Sequence, residues 1–446
     1  MDEPSREIKK PSLLDAIIPV ISLISMLAGT VYLFGLDSFG PNQVALILAA
    51  AIAAVIGIKN GHTWREIERG MIETISMSLQ AILILLMVGA LIGAWILSGT
   101  VPSMIYYGVQ LMSPDYFYLT ACLVCALLGF SIGSSWTVAG TLGIGLMGIA
   151  AALDLSLPMS AGAIISGAYF GDKLSPLSET TNLAAAVTSN DLFDHIQHML
   201  WTTVPAILIT LLIFFVLGLG NNSGVVIEDI INLQNAMDQA FHISPLMLIP
   251  LFVLLTLAIK KQPALSTLIS GTVLGCIFAA IFQWDAAVAL ASDPSLHPLA
   301  AIFKGLFSTM FLGYTSVSGN ESLDSLLSKG GMSSMLTTIG LVVNAMAFGG
   351  AMARTGLLSR LVEAALSGVR SAGGLITATV GTCIGTNILA ADQYLSIVLP
   401  GQMFVKSYED HGLKSINLSR TLEDSGTLTS ALIPWNTCGA YMSATL

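Results

Sequence analysis

The sequence predicts an all-α polytopic membrane protein made of two inverted-topology repeats, with broken helices and re-entrant hairpins. Three observations carry that expectation. The 446-residue chain is 54% hydrophobic and only 10% charged, where soluble domains carry about 25% charged residues. Its apolar windows are nearly free of charge and long enough, at about 20 residues, to cross ~30 Å of hydrocarbon as helices. Lysine and arginine recur in the short loops in a pattern that reverses between the two halves of the chain. A soluble helical protein would need polar helix faces that these windows lack.

The elements follow in order. The polar start, MDEPSREIKKP, has no small-residue cleavage site after an apolar run and reads as a cytoplasmic tail. Arg6, Lys9 and Lys10 precede the first window, 13–34, so the N-terminus is expected inside. Loop 35–42 has no Lys or Arg and reads as external, and Lys59, Arg65 and Arg69 after the second span read as internal. The long window 72–98 then ends in a stretch without basic residues, outside. Window 202–220 closes the first repeat, 1–219, which comprises a helix pair, 12–58, and a core, 70–219. Residues 220–243, with Glu228, Asp229 and Asp238, read as an external linker.

The second repeat, 244–446, reverses this plan. Its helix pair, 245–283, holds windows 246–259 and 264–282, joined at Lys260-Lys261 on the inside. Its core, 299–446, opens with window 332–352, which ends among Arg354, Arg360 and Arg370, inside. Residues 357–370 read as an amphipathic cytoplasmic surface helix. The whole gives roughly ten to twelve spans. Inverted repeats of this kind are a mark of secondary transporters.

Short motifs repeat in the same order. GFSIGSSWTVAG, 129–140, answers to GTCIGTNILAAD, 381–392, each with Ile-Gly before a polar pair: Ser134-Ser135 and Thr386-Asn387. Farther on, Asp172, Ser175 and Ser178 match Asp424, Thr427 and Ser430 in the pattern D-x-x-[ST]-x-x-S. Gly, Ser, Thr, Asn and Pro between apolar flanks predict helix breaks around Gly133, 171–182, 385–387 and 424–437. In lipid such backbone survives only where it is buried or lines a cavity. A break exposes carbonyl oxygens that suit Na⁺ and N–H groups that suit a carboxylate. Hydroxyl, amide and carboxylate oxygens are the hard ligands a small cation prefers.

Intramembrane carboxylates are costly and default to function. Asp172, beside Lys173 and near Glu179, is the first candidate for coupling Na⁺ to H⁺, and Asp392 and Asp424 are its counterparts. The competing reading for each is an ion pair pinning a hairpin, or a place at headgroup depth. His195 and His198 share a helical face, but a metal site wants a third ligand. A pH sensor, or a helix entry capped by Asn190, are the other readings. Cys122 and Cys125 form a CxxC inside an apolar run and read as small packing residues. Trp435 and Tyr106-Tyr107 read as packing or interface anchors. The net charge of −10 excludes a basic nucleic-acid surface.

At GDKLSPLSETTNLAAA, and again at TLEDSGTLTSALIPWNTCGAYMSATL, the chain resembles the NhaC family of Na⁺/H⁺ antiporters, within the broader ion-transporter superfamily. The similarity covers nearly the whole chain. The resemblance implies a Na⁺-coupled exchanger of the bacterial inner membrane, often dimeric, with paired hairpins and elevator-type alternating access. Family motif positions fall on Asp172, Ser175, Ser178, Thr181 and Asn182, and on Asp424, Thr427, Asn436 and Thr437. The same family includes Na⁺-linked malate/lactate exchangers, so a small carboxylate is the alternative cargo. Na⁺ and H⁺ are then transported ions; no resident cofactor and no catalysis are expected. The chain stops at Leu446 inside an apolar pattern, where family members continue. An intramembrane aspartyl protease is the rival from another class, but Tyr169 stands where a GxGD motif needs glycine.

Overall fold

A computed structural model describes residues 8–219, 227–291, 293, 295–367, 369 and 371–446. Arg6, residues 220–226 of the expected linker and Arg370 lie outside the described residues, as do the side chains of Glu228 and Asp229. The described chain is helical, without a strand. Nine of its helices are long and apolar enough to cross a membrane, or ten if Ile231–Ala240 and Pro245–Ile259, bent by 85°, form one span.

Leu13–Phe34 and Ala264–Phe282 are single helices with the expected limits, and window 332–352 lies inside Met332–Arg354. Window 72–98 is not one helix. It divides at Ser78 into the ends of Trp64–Met77 and Leu79–Leu97. The Ser78 hydroxyl donates to the Ile75 carbonyl at 2.8 Å, a local bond that competes with helix continuation. Trp64–Met77 begins with a reciprocal capping box between Thr63 and Glu66.

The chain packs as two compact units: Met1–Ala81 with Thr180–Met199 and Thr337–Ser443, and Ile82–Glu179 with Leu200–Leu336 and Ala444–Leu446. Each draws on both halves of the sequence. Packing units of this kind are a different matter from topological repeats.

In the first unit, Ala45, Ala49 and Ala53 recur at helical spacing on Phe39–Lys59 and are buried beside Leu23 and Leu27 of Leu13–Phe34. Small residues let helices approach closely, which is how association is driven where lipid removes the hydrophobic gain. Asp15 closes this pair, its carboxylate accepting from the Ser12 N–H and hydroxyl and from the Lys59 ammonium at 2.7 Å. Leu357–Ser367 is amphipathic as expected: Leu357, Leu358 and Val362 are buried. A further core of the same unit gathers Leu375, Phe404, Tyr408, Leu418 and Leu422. In the second unit, Phe117, Tyr118, Cys122, Cys125 and Ile164 form one core, and Leu97, Ala279, Ala287 and Ile302 another.

Candidate ion-binding sites

In the second unit the site is built on a glycine-packed helix pair. Phe117–Ile132 and Leu157–Leu174 approach backbone to backbone. A Cβ on Gly167 would meet the Cys122 carbonyl, one on Gly171 the Ala126 carbonyl, and one on Gly129 the Ala168 carbonyl. Cys122 and Cys125 are buried free thiols within this packing. The contact fixes the end of Leu157–Leu174, and with it Asp172, against the end of Phe117–Ile132.

There the first helix breaks as expected. Gly133 has φ +71°, a left-handed conformation that strains any residue with a Cβ. A Cβ would also meet Leu177 and Ser178, so this break lies against the turn that follows Leu174. Ser134 is extended, and its hydroxyl accepts the Thr137 N–H at 3.2 Å. The helix resumes as Ser135–Ala152. Its first N–H groups have no carbonyl four residues back. The Ser135 N–H donates instead to Asp172 Oδ2 at 2.9 Å.

Asp172 is 8% exposed and Lys173 1%. The Ser135 and Ser178 hydroxyls also face the Asp172 carboxylate, yet its Oδ1 receives no hydrogen bond. One oxygen is thus tied to a helix N-terminus, where the macrodipole favours negative charge. The other is a buried acceptor in reserve. After Leu174 the chain turns: Ser175, fully buried, accepts the Leu177 N–H at 3.2 Å, and Ser178 is buried too. Glu179 is exposed.

In the first unit, the break expected at 385–387 is absent: Ala372–Leu389 runs unbroken through Gly385, Thr386 and Asn387. A polar side chain interrupts a helix when it competes for the backbone. Asn387 does not, because its amide is engaged elsewhere. It donates to the Gly426 carbonyl at 2.7 Å and Thr429 Oγ1 at 3.0 Å, and it accepts from Asn436 at 3.1 Å. The break comes at 390–392, with Ala391 at φ +56°. Asp392, 4% exposed, caps the next helix, Gln393–Asp410, through the Leu395 N–H at 2.9 Å.

The break expected within 424–437 is present. A π-helical stretch, Glu423–Thr427, passes into Leu428–Ser430, and a helix restarts at Thr437. Asn436 takes the Cys438 N–H at 3.0 Å, Thr437 donates its N–H to the Ala391 carbonyl at 2.9 Å, and Trp435 Nε1 donates to Ile388 at 2.8 Å. The two breaks of this unit are therefore bonded together, as those of the other unit are packed together.

Sequence reasoning missed Glu423. It is fully buried and accepts from Thr180 Oγ1 at 3.0 Å, while Asp424 is half-buried. The D-x-x-[ST] spacing drew attention to Asp424. Helical phase points the other way: Glu423 lies four residues from buried Ser419 and Thr427, and Asp424 four from exposed Leu428. Thr382 was missed as well. Its hydroxyl, like those of Thr386 and Thr427, is buried and makes no hydrogen bond. Of the remaining candidates, Thr181 and Thr437 are buried and Asn182 is exposed.

The Leu192–Gly218 helix is capped by Asp191, which accepts the N–H groups of Phe193 at 2.8 Å and Asp194 at 3.2 Å, and not by Asn190. Asn190 is held away by Ser415 at 2.7 Å and Thr188 at 2.7 Å. His195 Nδ1 lies 2.9 Å from Ser419 Oγ. Among the described residues no cluster of three His, Cys, Asp or Glu could hold a metal ion.

A family model described as the Na⁺/H⁺ antiporter family matches residues 167–446. The chain is 38% identical over 404 residues to the Na(+)/H(+) antiporter NhaC of Alkalihalophilus pseudofirmus, covering 91% of this chain and 84% of that protein. It is 34% identical over 444 residues to the Malate-2H(+)/Na(+)-lactate antiporter of Bacillus subtilis, with 99% and 90% coverage. It is also 36% identical over 445 residues to the Arginine/ornithine antiporter ArcD of Halobacterium salinarum, with 98% and 87% coverage.

Proposed function

The chain belongs to the Na⁺/H⁺ antiporter family, and we propose that it exchanges Na⁺ for H⁺ across the bacterial inner membrane by alternating access. The observation that carries this reading is Asp172. Its carboxylate is buried and anchored through one oxygen by the Ser135 N–H, and its other oxygen accepts no hydrogen bond. Such a group can take a cation or a proton on the same oxygen, but not both, and mutual exclusion is what couples two ions in exchange. The Ser135 and Ser178 hydroxyls face it, and Ser134 and Ser175 lie in the adjoining turns. In the other unit, Thr382, Thr386 and Thr427 are the hydroxyls open to a cation. Asp392, Asp424 and the newly found Glu423 are the carboxylates there.

The paired helix breaks in each unit support the inverted-repeat reading, in which the two halves alternate about the ion sites. The membrane orientation, with the N-terminus inside, rests on the basic-residue asymmetry; the homodimer and the elevator motion rest on the family resemblance. A second reading keeps the same coupling and adds a small carboxylate as cargo. It is supported by the malate/lactate relative.

Proteoliposomes with an entrapped pH dye test the proposal. An imposed Na⁺ gradient should drive proton movement with the wild type. Asp172→Asn, which keeps the shape and cannot titrate, should abolish it. Wild-type flux in Asp172→Asn would remove Asp172 from the coupling step. Proton flux that appears only with malate or lactate present would favour the second reading.

A further inference from the structure

We propose that His195 carries protons for the exchange, on a polar seam that leads from the surface of the first unit to the buried carboxylate of Glu423. The inference rests on the Na⁺/H⁺ exchange reading and adds to it a proton route in the unit that does not hold Asp172. The seam lies wholly inside that unit, between residues 180–195 and residues 415–427. Three hydrogen bonds are its rungs. The Ser415 hydroxyl donates to Asn190 Oδ1 at 2.7 Å, His195 Nδ1 stands 2.9 Å from Ser419 Oγ, and the Thr180 hydroxyl donates to Glu423 Oε1 at 3.0 Å.

Spacing makes a seam of these rungs. Ser415, Ser419 and Glu423 are each four residues apart, so they fall on one side of a helix at successive turns. Leu418 and Leu422, on another side, belong to the apolar core that holds Phe404 and Tyr408. Burial rises along the seam: Asn190 and Ser415 are half-buried, while Ser419, His195 and Glu423 are fully buried. The open end lies beside Lys414. The linker after Leu192–Gly218 is expected outside, so the start of that helix, and the open end with it, faces the cytoplasm. A stretch that only packed would do as well with apolar side chains here, because replacing both partners of a buried hydrogen bond by apolar groups of the same shape is nearly neutral. Polar rungs at three successive turns, ending on an acid, are what a proton path requires.

His195 is the titratable rung between the surface and Glu423. An imidazole takes a proton on one ring nitrogen and gives one up from the other near neutral pH, which a hydroxyl or an amide does not. Uptake makes the imidazolium. Loss of the proton from the opposite nitrogen restores the neutral ring, and no other bond changes. Ser419 and Glu423 stand one turn apart, about 6 Å along the helix axis, a gap that the imidazole or one bridging water closes. Charged groups flank the route. Asp191 and Asp194 are exposed at the start of the same helix, and Lys414, Arg420 and Asp424 face His198, one turn farther on. His198 therefore lies beside the seam and not on it.

The test uses the full-length protein in proteoliposomes, with Na⁺-driven proton flux followed across the imidazole range, about pH 5 to 8. The wild-type rate should show an inflection there. His195→Gln keeps a polar side chain of similar size and cannot titrate. It should lose the inflection and lower the maximal rate about 100-fold, the low end of what a positioned proton-transfer group contributes. Na⁺ binding to the purified variant should match the wild type. Ser419→Ala keeps the imidazole and removes its hydroxyl partner, so it should move the inflection to another pH, a reading that stands even where His195→Gln fails to fold. His198→Gln is the control and should behave as the wild type does. A wild-type pH profile in His195→Gln or in Ser419→Ala, or an equal loss in His198→Gln, would overturn the relay and leave the exchange reading standing. A wild type that moves no protons would overturn the exchange reading itself, and the relay with it.

Discussion

At the scale of single residues, burial and hydrogen bonding separate braces from candidate ligands. Asn387 and Asn436, both candidate ion ligands, are fully buried, and each amide is engaged with the other and with nearby backbone. Asn387→Ala would leave the Asn436 amide and the Gly426 carbonyl short of partners, at a cost of about 1–3 kcal/mol for each buried group left unsatisfied. The expected outcome is a lower unfolding temperature. Thr386→Val removes a hydroxyl that bonds to nothing and keeps the shape. It should leave the unfolding temperature nearly unchanged and raise the Na⁺ concentration needed for half-maximal flux. An unchanged Na⁺ requirement would return Thr386 to packing. Asp172, Asp392 and Ser134 share one local role, satisfying the N–H groups of a restarting helix. Ser134→Ala should therefore cost about 1 kcal/mol, the ordinary worth of an N-cap.

At the scale of elements, glycines decide which helices touch. Gly167 and Gly171 are four residues apart and face the backbone of Phe117–Ile132, so neither position has room for a methyl group. Gly171→Ala should push the pair apart and lose about 1–3 kcal/mol to overpacking, and it should move Asp172 away from the Ser135 N–H. Gly162→Ala, on the same helix with nothing within 4 Å of its Cβ, is the control and should be neutral or stabilising. Thermal unfolding of the two purified variants checks this, with Na⁺-driven proton flux as the second readout. Equal behaviour would mean that the glycine contact does not position the site. The GxxxG pattern was legible in the string GAYFG, but its meaning was not. The sequence reading took this region only as polar, because the partner groove is contributed by Ala126 and Cys122, some forty residues earlier.

At the scale of the whole molecule, the expected topology places Lys260 inside and Asp37 outside. Both residues are exposed, so cysteines introduced there should react with an impermeant thiol reagent from opposite sides of the membrane. Labelling of both from one side would remove the support for the inverted repeat. The background thiols Cys122, Cys125, Cys383 and Cys438 are buried, and Cys276 is the one to remove first.

The sequence by itself determined the helical membrane class, two spans to the residue and the position of three of the four helix breaks. These are properties of local composition: an uninterrupted apolar run must be a helix in lipid, and a Gly or Pro among hydroxyl residues marks a place where one can end. The family was legible for the same reason, since its motifs are contiguous. Tertiary structure alone decided the remainder. The fourth break moved from 385–387 to 390–392 because Asn387 finds its partners on a segment about forty residues away. Glu423 rather than Asp424 became the buried acid because the packing of Ser415–Leu422 and Glu423–Thr427 fixes the helix phase. Which oxygen of Asp172 stays without a hydrogen bond depends on a glycine contact that sets its helix beside the Gly133 break. A residue type states what a side chain can bond to. What it bonds to is set by the neighbours that folding brings within about 3 Å.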